Sequence, residues 1–168
     1  TKALSKHFGP AYLRLGRPSL IGVYDTNYKF EIGKGNIVRQ GKDVVIFATG
    51  GLVQESLKAA ETLQNESIST TIVNISTLKP LDETLIIQEA KRHKAVITAE
   101  DHNIFGGLAD AVCQTLTRNQ IAVSFKAIAV KDQFAETGTG PELYEKYGLS
   151  KNHLILALKE VHSRKIPD

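Results

Sequence analysis

The sequence predicts an α/β fold in which a parallel or largely parallel sheet carries helices on both faces. Three observations predict it. The run "DVVIFAT", residues 43–49, is apolar without alternation, as a strand covered on both faces requires. Such runs recur along the chain and alternate with stretches whose apolar residues repeat at helical spacing. Glycine, proline and capping residues punctuate each change of period.

The elements follow in chain order. Residues 2–8 read as the end of a helix, stopped by Gly9 and Pro10. "AYLRL", residues 11–15, alternates and predicts a short strand closed by Gly16 and Pro18. From 19 to 42 the signals are short and mixed, "SLIGVY" and then "FEIGKGNIVRQGKD", and Gly33, Gly35 and Gly41 predict turns between small strands. The regular alternation begins at 43. After the first long strand, a helix from about Leu52 to Gln64 aligns Leu52, Val53, Leu57, Ala60 and Leu63. "STTIVNIS" is the second strand of the series. "LKPLDETL" opens a helix that Asp82 can cap, with Leu81 stapled against Ile86, and that runs to about His93. "AVITAE" is the third strand. "FGGLADAVCQTLTR" is a helix that turns Leu108, Val112, Cys113 and Leu116 inward, and "AVSFKAIAV" is the fourth strand. Pro141 starts a short helix ending at Gly148, and Ser150 caps a last helix with the stripe Leu154, Leu158 and Val161.

The totals bound the function. The 168 residues suffice for one sizeable domain, or for one domain and part of another. The 21 basic and 18 acidic residues are dispersed and give a net charge of +3, too weak and scattered for a nucleic-acid footprint. No stretch reaches the apolar length of a membrane span. The single Cys113 excludes an internal disulfide and fits a reducing compartment, the cytoplasm. There is no methionine, so Thr1 is not an initiator, and "TKALSKHFG" reads as a structure already under way. The expectation is a fragment or processed piece of a longer protein.

Three glycine-rich stretches are candidate sites. After the first long strand, Gly50-Gly51-Leu52-Val53-Gln54-Glu55 lacks the third glycine of a dinucleotide fingerprint, and no Gly-Lys-Ser/Thr follows. Glu55 sets a negative charge in the first helical turn, against a phosphate. The glycines are therefore expected to turn the chain, with a surface anion site as the alternative. "EDHNIFGGL", residues 100–108, lies after a strand, where open sheets carry ligands. Glu100, Asp101 and His102 are potential acid, base or metal ligands, but adjacent residues on an extended chain point to opposite faces. The expectation is that they cap the strand end and the Gly-Gly turn. In "AETGTGPELYEKYG", Glu136 and Glu142 argue for an ordered connector rather than an anion cradle. The five histidines, at 7, 93, 102, 153 and 162, form no triad, and Cys113 reads as a small core residue. Arg14 faces opposite to Leu13 and Leu15 on its expected strand, with Arg17 just beyond, and a guanidinium at a strand end suits bidentate phosphate binding.

The ordered series "PAYLRLGRP", "GKDVVIFATGGLVQESLKAAETL", "NISTLKPLD", "VITAEDHNIFGGLADAV" and "GTGPELYEKYGLSKNHLILALKEV" resembles the carboxy-terminal part of transketolase over nearly the whole chain. "TLKPLD" with "EDH" and its following Gly-Gly is the most specific part. 1-Deoxyxylulose-5-phosphate synthase and the 2-oxoacid dehydrogenases are similar in these segments and stand as alternatives. The other alternative is an autonomous anion- or nucleotide-binding module at Gly50-Gly51.

The resemblance implies a three-layer α/β/α domain with a mostly parallel, five-stranded mixed sheet. It implies that residues 1–20 are the tail of a pyrimidine-binding domain, 21–35 a linker and 36–168 the carboxy-terminal domain. The parent enzyme would transfer a two-carbon ketol unit between sugar phosphates, using thiamine diphosphate and Mg²⁺, as a homodimer without nucleic acid or membrane. Arg14 matches the family's arginine that contacts the sugar phosphate. The family's Gly-Asp-Gly motif with its following Asn is missing from this sequence, and so is the pyrimidine-domain glutamate. The implied role is therefore support: the chain alone binds neither thiamine diphosphate nor metal, holds no catalytic residue, and works with the remainder of the enzyme, whether cut from it or made as one half of a split pair.

Overall fold

The computed structural model describes residues 1–16 and 20–164. The expected boundary at Arg17 and Pro18, the start of "SLIGVY" at Ser19 and the last four residues lie outside the described residues. Among the described residues there are five strands, β1 (Asn36–Arg39), β2 (Val44–Ala48), β3 (Thr70–Asn74), β4 (Ala95–Asn103) and β5 (Ser124–Val130), and five α-helices, α1 (Leu52–Gln64), α2 (Glu83–His93), α3 (Leu108–Arg118), α4 (Gly140–Lys146) and α5 (Lys151–Ser163). The sheet order is β1-β3-β2-β4-β5. β1 pairs antiparallel with β3, and every other pairing is parallel.

β2 shows why its sequence lacks alternation. Side chains on a strand point to alternate faces. Val44, Ile46 and Ala48 enter one core with α1 and α5, through Leu52, Leu63, Leu154 and Leu158. Val45 and Phe47 enter the other core with α2 and α3, through Ile86, Ala90, Leu108 and Val112. All five β2 residues are buried, so apolar residues are required at every position. The four larger side chains, Val44, Val45, Ile46 and Phe47, each contribute about 1.5–3 kcal/mol by leaving water.

The helices end where capping chemistry dictates. Asp82 accepts a hydrogen bond from the Leu85 amide at 3.2 Å and starts α2. Leu81 packs beside the cluster that contains Ile86, as the staple requires. Thr139 and Glu142 cap each other at the start of α4. The hydroxyl and amide of Thr139 hold the Glu142 carboxyl below its usual range.

Four expectations are corrected. Residues 2–8 contain only a 3₁₀ turn, Leu4–Lys6. "AYLRL" forms no strand, because no neighbouring strand among the described residues supplies the ladder that alternation alone cannot. The stretch 20–42 yields one strand, β1, instead of several. Cys113 is half-buried beside the stripe of Leu108, Val112 and Leu116 rather than part of it.

α2 ends in a buried polar node. His93 is fully buried, with Nε2 2.9 Å from Thr71 Oγ1 and Nδ1 2.8 Å from the Glu89 carbonyl. Arg92 beside it donates to the Gly41 carbonyl at 2.9 Å and to Glu89 at 3.2 Å. Burial pushes the imidazole below its ordinary value, opposed by Glu89. The folded state therefore binds fewer protons here than the unfolded chain. Stability is lost as pH falls through the unfolded value, about 6.5, toward the depressed folded one. Urea midpoints measured at pH 7.5 and 5.0 should differ in the native protein, and the gap should narrow in His93→Gln; an equal gap in the two proteins would disprove the assignment.

Candidate functional site

Neighbouring strands β2 and β4 send their chains in opposite directions. From β2 the chain passes through α1 on one face to β3, and from β4 through α3 on the other face to β5. Between their carboxyl ends lies the topological switch point, where open α/β sheets form a ligand crevice. The Thr49 amide donates to the Ala99 carbonyl at 3.0 Å and joins the two strand ends there. The structure brings Gly50, Gly51, Glu55, Glu100, Asp101, Tyr144 and Arg14 to this edge.

Glu100 is the innermost of them. It is 1% exposed, and its two carboxylate oxygens accept the amides of Leu108 and Ala109 at 2.7 and 2.8 Å. These are first-turn N–H groups of α3, which would otherwise have no partner and which favour an anion. Glu100 thus occupies the anion position of α3 itself. Gly107 makes room for it, because a Cβ there would stand 2.1 Å from Glu100 Oε2. The capping role expected of "EDHNIFGGL" is met by Glu100. Asp101 points the other way and is half-exposed, as neighbours on extended chain should.

The Gly50-Gly51 pair turns the chain. Gly50 has φ +59°, and Gly51 lies so close to α4 that a Cβ on it would meet the Tyr144 hydroxyl at 2.5 Å. Tyr144 thereby covers the start of α1. Burial first, and then the charges of Asp101 and Glu55, push its phenol up to about 12, against the opposing effect of Arg14. The group stays protonated and neutral near neutral pH. Glu55, expected to serve its own helix, reaches further: it accepts the Lys151 amide at 2.8 Å and caps α5 while pairing with Lys58 at 2.7 Å.

Arg14 reaches the rim from a segment with no regular structure. Its Nη1 donates to the Asp101 carbonyl at 2.6 Å, and its Nη2 stands 3.9 Å from the Asp101 carboxylate. The arginine side chain is 59% exposed, so much of the guanidinium faces water. His102 hydrogen-bonds locally to the Asn103 carbonyl at 2.7 Å. Glu136 pairs with Lys146 at 2.7 Å and ties the glycine-rich connector to α4. No group of three or more His, Cys, Asp or Glu able to hold a metal occurs among the described residues.

Sequence reasoning missed Tyr144 and the partnership of Arg14 with Asp101. The sole trace of the first is the bare Gly51 before a helix, since a missing Cβ leaves room for a neighbour. The second has no local trace, because 87 residues separate the partners.

The Glu100 cap has a measurable weight. A carboxamide at position 100 offers one acceptor oxygen to two buried amides, so Glu100→Gln should cost about 1–3 kcal/mol in urea unfolding. A change under about 0.5 kcal/mol, the scatter of an ordinary surface substitution, would show that the cap does not hold α3.

Comparison with known proteins agrees with the geometry. A family model described as the transketolase C-terminal domain matches residues 33–154. The chain is 38% identical over 159 residues to the 6-deoxy-6-sulfo-D-fructose transketolase subunit of Clostridium sp., covering 95% of this chain and 49% of that one. It is 36% identical over 157 residues to the 1-deoxy-D-xylulose-5-phosphate synthase of Syntrophotalea carbinolica, covering 92% of this chain and 25% of that one. The solved structure of a split gene transketolase, an inactive beta4 tetramer, superposes with a TM-score of 0.90 at 34% identity, covering 98% of this chain and 53% of that one. The chain spans about half the length of the curated transketolase relatives it matches, 47% and 49%. With the five-stranded mixed sheet of the same architecture, these matches establish that the chain belongs to the transketolase C-terminal domain family.

Proposed function

We propose that this chain is the carboxy-terminal portion of a cytoplasmic, homodimeric enzyme of the transketolase type, which moves a two-carbon ketol unit between sugar phosphates. Its parent uses thiamine diphosphate with Mg²⁺, which supplies the carbanion chemistry when bound. The contribution of this chain is to brace the pyrimidine-binding domain, to extend the dimer interface and to present Arg14 to the phosphate of the substrate. Residues 1–20 are the tail of that domain, 21–35 the linker and 36–168 the carboxy-terminal domain.

One observation carries the supporting role: the switch-point crevice is closed by the chain's own side chains. A diphosphate needs free amides at a helix start. Here Asp82, Glu100, Glu55 and Glu142 already cap α2, α3, α5 and α4, and Tyr144 covers the start of α1. Four carboxylates in those positions also repel phosphate. The described residues therefore do not fit the cofactor. The amino-terminal segment supports the bracing role, because Phe8, Tyr12, Leu15 and Ile21 are 101%, 89%, 73% and 79% exposed. Apolar surface of this kind marks a contact with another part of a larger assembly.

A second reading has a specific observation behind it, the 36% identity to a 1-deoxy-D-xylulose-5-phosphate synthase. In that case the donor is a 2-oxoacid and the supporting role is the same. Assays of the complete enzyme with a ketose phosphate and with a 2-oxoacid as donor separate the two.

The isolated chain should show no ketol transfer and should not promote hydrogen–deuterium exchange at the reactive carbon of thiamine diphosphate; addition of the cofactor-binding portion should restore both. Either activity in the chain alone would refute the supporting role. In the complete enzyme, Arg14→Ala should raise KM for phosphorylated substrates roughly ten-fold or more, since a charge-assisted contact contributes about 1.5–3 kcal/mol, and should leave cofactor affinity alone. Equal weakening of cofactor binding would remove Arg14 from the substrate site.

A further inference from the structure

We infer that Asp101 is a positioning residue, which holds the Arg14 guanidinium at the rim of the switch point in the orientation that receives the anionic end of the substrate. This rests on the reading that Arg14 contacts the substrate phosphate.

The argument begins with the segment that carries Arg14. Residues 7–16 form neither helix nor strand and expose Phe8, Tyr12 and Leu15, so no ladder or core orients them. The bridge from Arg14 to Asp101 ties this segment to the sheet. It has two parts of different strength. The Asp101 main-chain carbonyl accepts from Nη1 at 2.6 Å, a strong charge-assisted bond. The carboxylate stands 3.9 Å from Nη2, too far for a hydrogen bond and near enough to bias the guanidinium plane.

The Asp101 main chain follows directly on an anchored residue. It lies in β4 where the pairing with β5 shifts between Ala99 and Asn103, and irregularities of this kind re-aim side chains at functional edges. The preceding residue, Glu100, is locked through both carboxylate oxygens to the start of α3. Tyr144 stands close enough for its phenol to feel both Asp101 and Arg14. The result is a carbonyl and carboxylate at the end of β4 facing an arginine from a segment without regular structure.

A guanidinium offers five N–H donors in a fixed fork. One is used by the Asp101 carbonyl, and the 59% exposure of the side chain leaves an edge in water for a planar, bidentate anion contact. Asp101 therefore presents Arg14 to an incoming phosphate without consuming it. Asp101 and Glu55 are acidic groups that act on Tyr144 at this rim, and Arg14 acts on it in the opposite sense.

The test uses the complete enzyme and compares a phosphorylated sugar with its unphosphorylated counterpart. An exposed ion pair of this length corresponds to a factor of about two to five. Asp101→Asn keeps the carbonyl and removes the charge. It should raise KM for the phosphorylated sugar about three-fold while kcat and the KM for the unphosphorylated sugar stay within two-fold, and Asp101→Glu should recover most of the loss. In an Arg14→Ala background, Asp101→Asn should have no further effect, because its influence passes through the arginine. A purely structural role would instead lower the melting temperature and affect both sugars. If Arg14→Ala weakens phosphate selection but Asp101→Asn does not, or if Asp101→Asn lowers KM because the carboxylate competes with phosphate, the positioning role is overturned and Arg14 stands. If Arg14→Ala itself leaves KM unchanged, the reading of Arg14 fails and the inference with it.

Discussion

One buried carboxylate governs the catalytic-looking edge of this domain. Glu100 sits at the end of the central strand β4 and holds the first amides of α3 through both oxygens. A carboxyl group at 1% exposure is tolerable only when hydrogen bonds replace water, and these two amides do so at the start of a helix. The same bond pair joins strand to helix across the Gly106-Gly107 turn, fixes the main chain of Asp101, and fills the position where a ligand anion would lie. The architecture of a ligand crevice is retained, while its anion site is satisfied from within.

The rest of the rim is built on the same logic. Glu55 leaves the start of its own helix and caps α5, which packs beside α1 on the same face of the sheet. Tyr144 approaches α1 over a glycine that has no Cβ to oppose it. Carboxylates therefore take the place of phosphate at helix starts that neighbour one another, and a protonated phenol closes the remaining one. At its rim the half-exposed Arg14 side chain is held by the Asp101 carbonyl, next to the residue whose carboxylate caps α3.

The folding pattern was legible wherever burial is two-sided. β2, β3, the body of β4 and helices α1, α2 and α5 lie close to the positions that periodicity, Asp82 and Ser150 indicate. Legibility failed in the amino-terminal stretch before β2. "AYLRL" alternates convincingly, yet strand formation needs a hydrogen-bonding neighbour as well as a pattern, and none is present beside it among the described residues. Cys113 shows a smaller failure of the same kind. It stands next to the inward stripe of α3, and a shift of one position around a helix separates buried from half-buried. In the site, Glu100 was readable as a cap because the strand end and the Gly-Gly turn are adjacent in sequence.

Local spacing by itself determined the α/β class, the two-faced strands, the caps of α2 and α3 and the exclusion of dinucleotide and P-loop chemistry at Gly50-Gly51. These follow from interactions within a few residues, where periodicity and capping act. Only the tertiary structure decided the order β1-β3-β2-β4-β5, the antiparallel β1, the seat of Tyr144 over Gly51 and the meeting of Arg14 with Asp101. Each of these joins residues distant in the chain, and their proximity is set by how the helices pack on the sheet. No local periodicity encodes that distance.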